Sequence, residues 1–310
     1  MHLLIPYAFC NSEGCAAALP PLKLPQLEKL LARLTPEAPD LGDAASLSPP
    51  HERTLGRALG LELADGMIPW AALQALQSGL GGGTWAFITP CHWHVGSKHA
   101  AMGGLRLAGF PEPDSRALLA AMQPYFTEDG IELHYWQPHG WLARSELFDG
   151  LATAALERVV GRDVQSWLPR GRNATTVQRL QAEMQMLLYH HPLNDERAAR
   201  GLVPVNSFWL SGTGTLRQAP ASPAEAPTVI TALRDAALNE DWAGWTQAWQ
   251  AIDATECAAL QAALARREDV QLTLCGERNA QGFRSAAQPV FKRLLASFGT
   301  RRAATFLEPL

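Results

Sequence analysis

A cysteine and three histidines lie within one short stretch of the chain, "CHWHVGSKH", and their side chains are of the types that bind zinc. They are Cys91, His92, His94 and His99. On extended backbone, His92 and His94 point to one side and Cys91 to the other, and His99 could curl back as a further ligand. The segment has no carboxylate to complete a closed tetrahedral set,. We therefore favour structural or ligand-facing side chains over a zinc or manganese site, with a nucleophilic Cys91 as a further alternative.

Polar residues also surround a glycine-containing strand in the segment "YHHPLNDERAARGLVPVNSFWLSGTG", residues 189–214. Glycines after a strand let the backbone approach an anion or another chain segment. The segment therefore provides candidate ligand-binding residues: Asn206, Ser207, Gly212 and Gly214. No Lys-Ser/Thr pair follows the glycines, which excludes a Walker-type phosphate loop. The alternative is a capped helix end followed by turn-forming residues.

A third group of polar residues ends the stretch "LTLCGERN", residues 272–279. Here Glu277 could act as an acid and Arg278 as an anion clamp. The alternative, which we favour, is an exposed ion pair of marginal energetic value.

The composition excludes several classes of protein. The chain has 310 residues, of which 47% are apolar, and a net charge of −4. This charge implies no basic face for nucleic acid, and no apolar run is long enough to span a membrane. The first residues, "MHLLIPYAFC", predict a buried strand and no signal peptide. Five cysteines without paired CxxC spacing indicate reduced thiols, and hence the cytoplasm,.

The elements that position these residues alternate between strands and helices. Apolar runs predict strands within residues 2–9, 84–90, 130–145, 202–214 and 270–276,. The 3.6-residue spacing of apolar residues, with Pro and Gly at the segment ends, predicts further elements as helices. They lie within residues 24–34, 50–61, 68–80, 114–126, 174–191, 242–249 and 254–267, and a last one runs through 290–298,. This order predicts an α/β fold with a mainly parallel sheet flanked by helices.

We expect three segments along the chain: residues 1–215 as the α/β core, residues 216–228 as a Pro/Ala linker or long loop, and residues 229–310 as a C-terminal α/β part packed on the same sheet,. Parallel strands bring their carboxyl ends to one edge of a sheet. We therefore expect Cys91, Asn206 and Glu277 to share one pocket at that edge.

Three stretches resemble one family of proteins: "TPCHWHVG", "RLQAEMQMLLYHHPLNDERAARGLVPVNSFWLSGTG" and "LTLCGERN". They are similar to uncharacterised proteobacterial proteins described either as RpfE-type regulatory proteins or as 2,3-bisphosphoglycerate-independent phosphoglycerate mutase-like. The stretch "VPVNSFWLSGTG" is similar to a strand-to-glycine segment of archaeal-type mutases. This resemblance implies the alkaline phosphatase-like α/β fold.

The chain departs from the active mutases at the positions that matter for chemistry. The resemblance implies acidic metal ligands and a Ser or Thr nucleophile after the first strand, and an Asp-His pair at a later strand end. Here the first strand ends "YAFCNSEG", and the chain has no Asp-His dipeptide. Two-metal catalysis depends on such ligands to offset phosphate repulsion, so we expect a degenerate fold of this type without mutase activity.

We therefore expect a cytoplasmic regulatory or ligand-sensing protein that binds an unknown small molecule or protein partner, with no cofactor, nucleic acid or membrane. The rival is an enzyme, a metal-dependent phosphatase or mutase that draws an altered ligand set from His92, His94, His99 and remote carboxylates. A third interpretation is a scaffold that binds another protein through its Trp-rich segment, with Trp242, Trp245 and Trp249,.

Overall fold

The structure is a computed structural model that describes residues 1–61, 64–96, 99–217, 220, 226–285, 304–308 and 310. The chain divides into two units. Unit 1 comprises Met1–Ala45, Pro49–Gly60 and Pro220–Leu310, and unit 2 comprises Ser46–Ser48 and Leu61–Ala219.

This division differs from the expected one, because residues 1–215 do not form a single core. Strands from the two ends of the chain pair within unit 1, and unit 2 is an insertion in its sequence. The predicted helix through residues 290–298 lies outside the described residues, as does part of the expected linker.

The structure has eleven strands and eleven α-helices within its described part. The strands are β1 His2–Ile5, β2 Thr35–Pro36, β3 Thr84–Cys91, β4 Trp93–Val95, β5 Ala100–Met102, β6 Glu132–Gln137, β7 Gly140–Arg144, β8 Ser207–Thr215, β9 Thr228–Val229, β10 Gln271–Cys275 and β11 Ala280–Arg284. The helices are α1 Glu13–Ala18, α2 Pro25–Arg33, α3 Pro50–Ala58, α4 Trp70–Gln77, α5 Glu112–Glu128, α6 Ala174–Tyr189, α7 Pro192–Ala199, α8 Ala232–Leu238, α9 Trp242–Ile252, α10 Ala258–Ala265 and α11 Ala304–Leu307. None of these helices combines the length and apolar character needed to cross a membrane.

Unit 1 contains a mixed five-stranded sheet in the order β2-β11-β10-β1-β9. Strand β1 pairs in parallel with β9 and β10, whereas β11 pairs antiparallel with both β10 and β2. Leu3 and Ile5 of β1 join the main core of this unit, together with Leu272 and Leu274 of β10. On the opposite face, Leu4 packs with residues that include Leu55 of α3.

Unit 2 contains an antiparallel four-stranded sheet in the order β6-β7-β3-β8, and a separate β4-β5 hairpin. The prediction of a mainly parallel sheet is therefore wrong for this unit, and the sheet of unit 1 is mixed. Apolar runs identify strands but do not determine which strand lies beside which. The predicted pair of strands within residues 130–145 is confirmed, as is the long helix α6.

The Trp-rich helix α9 is part of the core of unit 1. Trp245 and Trp249 have no exposed surface. Their indole N–H groups donate to the carbonyl oxygens of Tyr7 at 2.9 Å and Ala8 at 3.3 Å. Tyr7 itself has a φ of 55°, a left-handed conformation that is costly for a bulky side chain,. The two buried tryptophans thus hold the turn after β1, and this contradicts the idea that they form a surface for a protein partner.

A buried carboxylate supplies the N-terminal cap of helix α2. This helix begins at Pro25 without a capping side chain of its own. Asp253, in the π-helical turn that joins α9 to α10, accepts hydrogen bonds from the backbone N–H groups of Leu27 at 2.7 Å and Gln26 at 3.2 Å. It therefore satisfies two donors that the start of a helix leaves unpaired.

We predict that Asp253→Ala lowers the free energy of unfolding by about 1–3 kcal/mol, because it leaves these buried N–H groups without an acceptor. Asp253→Asn keeps one oxygen acceptor and should cost less. Urea denaturation followed by circular dichroism measures both, with Asp269→Ala, at an exposed carboxylate, as the control. Equal effects of Asp253→Ala and Asp269→Ala would show that the cap is unimportant.

Candidate functional site

Cys91 is a core residue at the end of β3. Its backbone pairs with Ser207 of β8, and its side chain packs in a cluster that includes Trp93 and Trp209. Burial raises the pKa of the Cys91 thiol. A protonated thiol surrounded by tryptophans is a poor nucleophile, so the geometry gives no support to catalysis by this cysteine.

His92 and His94 form a ring pair beside the break between β3 and β4. Their ring centroids lie 4.5 Å apart with one ring edge-on to the other. His92 Nδ1 lies 2.8 Å from the carbonyl oxygen of Pro204, which can only accept a hydrogen bond, so Nδ1 bears the proton and Nε2 has a free lone pair,. Burial lowers the pKa of His92, with a smaller opposing effect of this hydrogen bond. The His92 ring is therefore neutral at pH 7.

His99 directly precedes strand β5 of the β4-β5 hairpin and is exposed. Its carbonyl oxygen accepts from the N–H of Gly96 at 2.9 Å. Over the described part of the chain, no group of three or more His, Cys, Asp or Glu side chains has the arrangement needed to hold a metal ion. The three histidines His92, His94 and His99 thus do not make a ready ligand set, although the first two form a pair.

Asn206 bridges the interruption that His92 makes between β3 and β4. Its side-chain oxygen accepts from the N–H of Trp93 at 2.7 Å, and its amide nitrogen donates to the carbonyl oxygen of Trp93 at 2.8 Å. Its own backbone N–H donates to the carbonyl oxygen of Cys91 at 3.2 Å. The side chain replaces a missing pair of strand hydrogen bonds, so it is engaged in the framework and is not free for a ligand.

Two further polar residues of the 189–214 segment have the same framework role. Asn194 accepts from the N–H of Val205 at 2.8 Å and donates to the carbonyl oxygen of Leu188 at 2.7 Å. Arg197 has no exposed surface, and its guanidinium donates to three carbonyl oxygens between 2.9 and 3.0 Å away, those of Ala108, Gly109 and Val203. The convergence of polar residues in this segment is explained by these backbone contacts.

The remaining candidates lie within β8, where Ser207 and Gly214 are buried and Gly212 is half-buried. Ser207 is buried, and its hydroxyl has no hydrogen-bond partner among the described residues. Gly212 has a φ of +62°, and an added Cβ would lie 2.8 Å from Phe87 Cδ2. A Cβ on Gly214, whose φ is +141°, would lie 3.2 Å from Pro69 Cβ. Both glycines lie at the irregularity in the β3-β8 pairing, where their positive φ angles and close neighbours leave no room for a Cβ,.

Glu277 and Arg278 belong to unit 1, where they follow β10. The Glu277 carboxylate accepts from the N–H of Asn11 at 3.0 Å, and Arg278 is exposed. The expectation that Cys91, Asn206 and Glu277 lie at one edge of one sheet is therefore wrong. Cys91 and Asn206 are neighbours in the antiparallel sheet of unit 2, whereas Glu277 follows a strand of the other sheet. The inserted unit 2 builds a sheet of its own, which the alternation of elements does not reveal.

The turn after β1 packs against the end of β10. The N–H of Ala8 donates to the carbonyl oxygen of Cys275 at 2.8 Å. The side chains of Tyr7, Phe9 and Cys10 lie in the main core of unit 1. These positions correspond to the strand end where the resemblance to mutases implies metal ligands, and they hold apolar, aromatic and thiol groups.

A cleft of about 430 Å³ lies on the face of the unit 1 sheet that is turned toward α3. Its lining includes polar side chains from four parts of the unit: His2, Glu37, Asp40, Thr54, Arg57 and Thr273. Sequence reasoning missed it. The signal was the alternation of His2 and Thr273 with the apolar residues of β1 and β10, which places polar groups on one face of the sheet,.

The charged groups of the cleft are partly engaged with one another. Asp40 accepts hydrogen bonds from Arg53 and from Arg57. Burial raises the pKa of Asp40, but the hydrogen bonds from Arg57 and Arg53 outweigh it, and the net pKa is lowered. Burial lowers the pKa of His2, and the positive charge of the N-terminus lowers it further. The Nε2 atom of His2 lies 3.0 Å from Thr273 Oγ1. The cleft thus combines the carboxylates of Glu37 and Asp40, the guanidinium of Arg57 and the imidazole of His2.

We predict that Asn206→Ala lowers the free energy of unfolding by about 1–3 kcal/mol, because it leaves the N–H and the carbonyl oxygen of Trp93 without partners. Arg278→Ala, at an exposed site candidate, should change it by less than about 0.5 kcal/mol. Denaturant titration compares the two variants. A stable Asn206→Ala protein would mean that this side chain is free for another role.

Comparison with known proteins finds only distant similarity. No protein-family model matches the chain. A 2,3-bisphosphoglycerate-independent phosphoglycerate mutase from Methanothrix thermoacetophila is 35% identical over 65 residues, which are 21% of this chain and 16% of that mutase. The chain thus matches only a small part of the length of this curated relative.

Two solved structures are also similar, both of them distantly. A cofactor-independent phosphoglycerate mutase from Thermoplasma acidophilum DSM 1728 has a TM-score of 0.36 at 13% identity, covering 100% of this chain and 99% of that one. The PH0037 protein from Pyrococcus horikoshii has a TM-score of 0.43 at 12% identity, covering 92% and 87%. Over a short part of its length, the chain is similar in sequence to a phosphoglycerate mutase.

Proposed function

We propose that this chain is a regulatory or ligand-sensing protein, related to the phosphoglycerate mutases but without their two-metal catalysis. The observation that supports this proposal most strongly is the chemistry of the strand ends in unit 1. The turn after β1 places Tyr7, Phe9 and Cys10 in the core, and the carboxylate of Glu277 after β10 is bonded to the N–H of Asn11. Two-metal phosphoryl transfer depends on several free carboxylates and imidazoles around the ions.

We place this function in the cytoplasm, without nucleic acid as a partner. All five cysteines are free and buried, which suits a reducing compartment,. The net charge of −4 offers no electrostatic attraction to a phosphate backbone,.

We assign ligand binding to the cleft of unit 1. The side chain of Arg57 is 51% exposed, whereas that of Asp40 is 16% exposed and also held by Arg53. Arg57 can therefore turn to a ligand carboxylate while Asp40 keeps an ionic partner. The carboxylate of Glu37 is 40% exposed and pairs with Arg284 Nε at 3.5 Å, and the Arg284 side chain is itself 62% exposed. Glu37 can therefore exchange this exposed partner for an amine or hydroxyl group of a ligand. This pattern suits a small polar molecule of mixed charge, such as an amino acid or a hydroxy acid.

We predict that Ala58→Trp, which fills the cleft from α3, abolishes binding of such a ligand. The measurement is a thermal-shift screen of the full chain against amino acids and short hydroxy acids. A ligand at about 100 times its Kd stabilises the native state by about 2.7 kcal/mol, which raises the melting temperature.

The matched control is Ala16→Trp, which adds the same side chain at an exposed position of α1 and should keep the shift. A compound that stabilises the wild-type chain and Ala58→Trp equally would place its site elsewhere. A screen in which no compound of these classes raises the melting temperature would contradict the assignment of the cleft.

The alternative function is a metal-dependent phosphatase with an altered ligand set, and one observation favours it. The His92 and His94 rings are neighbours, and the geometry leaves Nε2 of His92 with a free lone pair. Two imidazoles make half of a zinc site, so the remaining ligands would have to come from substrate, solvent or other residues.

We predict that this alternative fails. After loading with Zn²⁺ or Mn²⁺ and dialysis, the purified chain should retain far less than one ion per chain and should not hydrolyse para-nitrophenyl phosphate. Stoichiometric metal and hydrolysis that are lost in His92→Ala and His94→Ala, but kept in His190→Ala at an exposed histidine, would instead establish the phosphatase.

A further inference from the structure

Two of the five cysteines are in direct contact at the end of β1. The backbone N–H of Cys10 lies 3.2 Å from the sulfur of Cys15, and the Cys10 thiol donates a hydrogen bond to the same sulfur. Both side chains are buried, with 3% exposure for Cys10 and none for Cys15. The pair plays no part in the proposed ligand site.

The start of helix α1 brings the two thiols together. Ser12 caps this helix, and its hydroxyl accepts from the N–H of Cys15 at 3.2 Å. The chain therefore reverses between residue 10 and residue 15, so that Cys15 points back over the backbone of Cys10. Asn11 and Glu13 on the same turn are exposed.

The other three cysteines have different surroundings. Burial raises the pKa of the Cys257 thiol to about 12, with nearby carboxylates adding to the effect. Burial also raises the pKa of Cys91 and of Cys275. Their hydrogen-bonding and charged neighbours are carboxylates, arginines, Thr54 or Trp93, and none is a thiol. Cys91, Cys257 and Cys275 are therefore isolated thiols, with which the reactivity of the Cys10–Cys15 pair can be compared in the same protein.

We propose that Cys10 and Cys15 form an oxidisable dithiol, a modification site at which a peroxide converts the two thiols into an intramolecular disulfide. The sulfur of Cys15, as a thiolate, attacks one oxygen of hydrogen peroxide and becomes a sulfenic acid, and the displaced hydroxide takes up a proton to give water. The sulfur of Cys10 then attacks the sulfenic sulfur, forms the S–S bond and releases a second water. Two thiols lose two electrons, which reduce one peroxide to two waters.

The hydrogen bond identifies which sulfur reacts first. Donation from the Cys10 thiol lowers the pKa of Cys15, although burial opposes this effect. The same hydrogen bond, together with burial, raises the pKa of Cys10. A group with a lowered pKa is ionised at lower pH, so Cys15 is the nucleophile and Cys10 the resolving thiol. The rate of oxidation should rise with pH as Cys15 ionises.

Access to the pair requires only local opening. Helix α1 has six residues, and Ala16 and Ala17, which follow Cys15, are exposed. Short helices near exposed turns open with a free energy well below that of global unfolding. We expect a molecule as small as hydrogen peroxide to reach Cys15 in this way, whereas Cys91, Cys257 and Cys275 lie outside this short helix and stay protected.

The experiment treats the folded full chain with a small excess of hydrogen peroxide and follows it by intact mass, thiol counting and peptide mapping. We expect the thiol count to fall from five to three, with the loss of two hydrogen atoms and a disulfide that joins Cys10 to Cys15. In Cys10→Ser the reaction should stop at a sulfenic acid on Cys15, which dimedone traps. In Cys15→Ser peroxide consumption should slow at least tenfold, and Cys257→Ser should behave as the wild type.

Three results would overturn the proposal. One is a disulfide that maps to another pair of cysteines. Another is a folded chain that keeps all five thiols under conditions that oxidise the urea-denatured chain. The last is a sulfenic acid that forms on Cys91, Cys257 or Cys275 faster than on Cys15. Circular dichroism of each variant before oxidation shows that the comparison is made between folded proteins.

Discussion

The fold of unit 1 depends on hydrogen-bond donors for the carbonyl oxygens of Tyr7 and Ala8, in the turn that follows β1. These groups are buried, and a buried carbonyl without a donor costs about 1–3 kcal/mol. The indole N–H groups of Trp245 and Trp249 supply the donors, across sequence separations of 238 and 241 residues. The indoles also fill the core with large apolar surfaces. This interaction ties the first strand to helix α9, and so draws the two ends of the chain into one unit.

The same constraint determines which side chains lie at this strand end. A turn held from the core side by two tryptophans directs its own side chains inward, so Tyr7 and Phe9 pack at the strand end where the resemblance to mutases implies metal ligands. Glu277, the nearest carboxylate after β10, is bonded to the backbone of Asn11. Polar groups line the other face of the sheet, beside α3, where Glu37 and Arg57 are partly exposed and paired with Arg284 and Asp40. We propose that ligand recognition uses this face of the sheet, opposite the main core of unit 1.

The sequence predicted local structure well and long-range partners poorly. The 3.6-residue period of α6 and the turn between β6 and β7 depend on neighbouring residues, and both are present. The parallel sheet and the shared pocket depend on which strands pair, and no local pattern encodes that β3 lies between β7 and β8. The role of Asn206 was hidden for the same reason, because its partner Trp93 is 113 residues away. The cleft arises from polar residues on four separate segments, each unremarkable alone.

We propose that the strand ends of unit 1 do not support two-metal phosphoryl transfer. The most direct test is to incubate the purified full chain with 3-phosphoglycerate and Mn²⁺ and to measure 2-phosphoglycerate with a coupled assay. We expect no product above the rate seen without protein. Manganese-dependent conversion that stays with the chain through a second purification would contradict it.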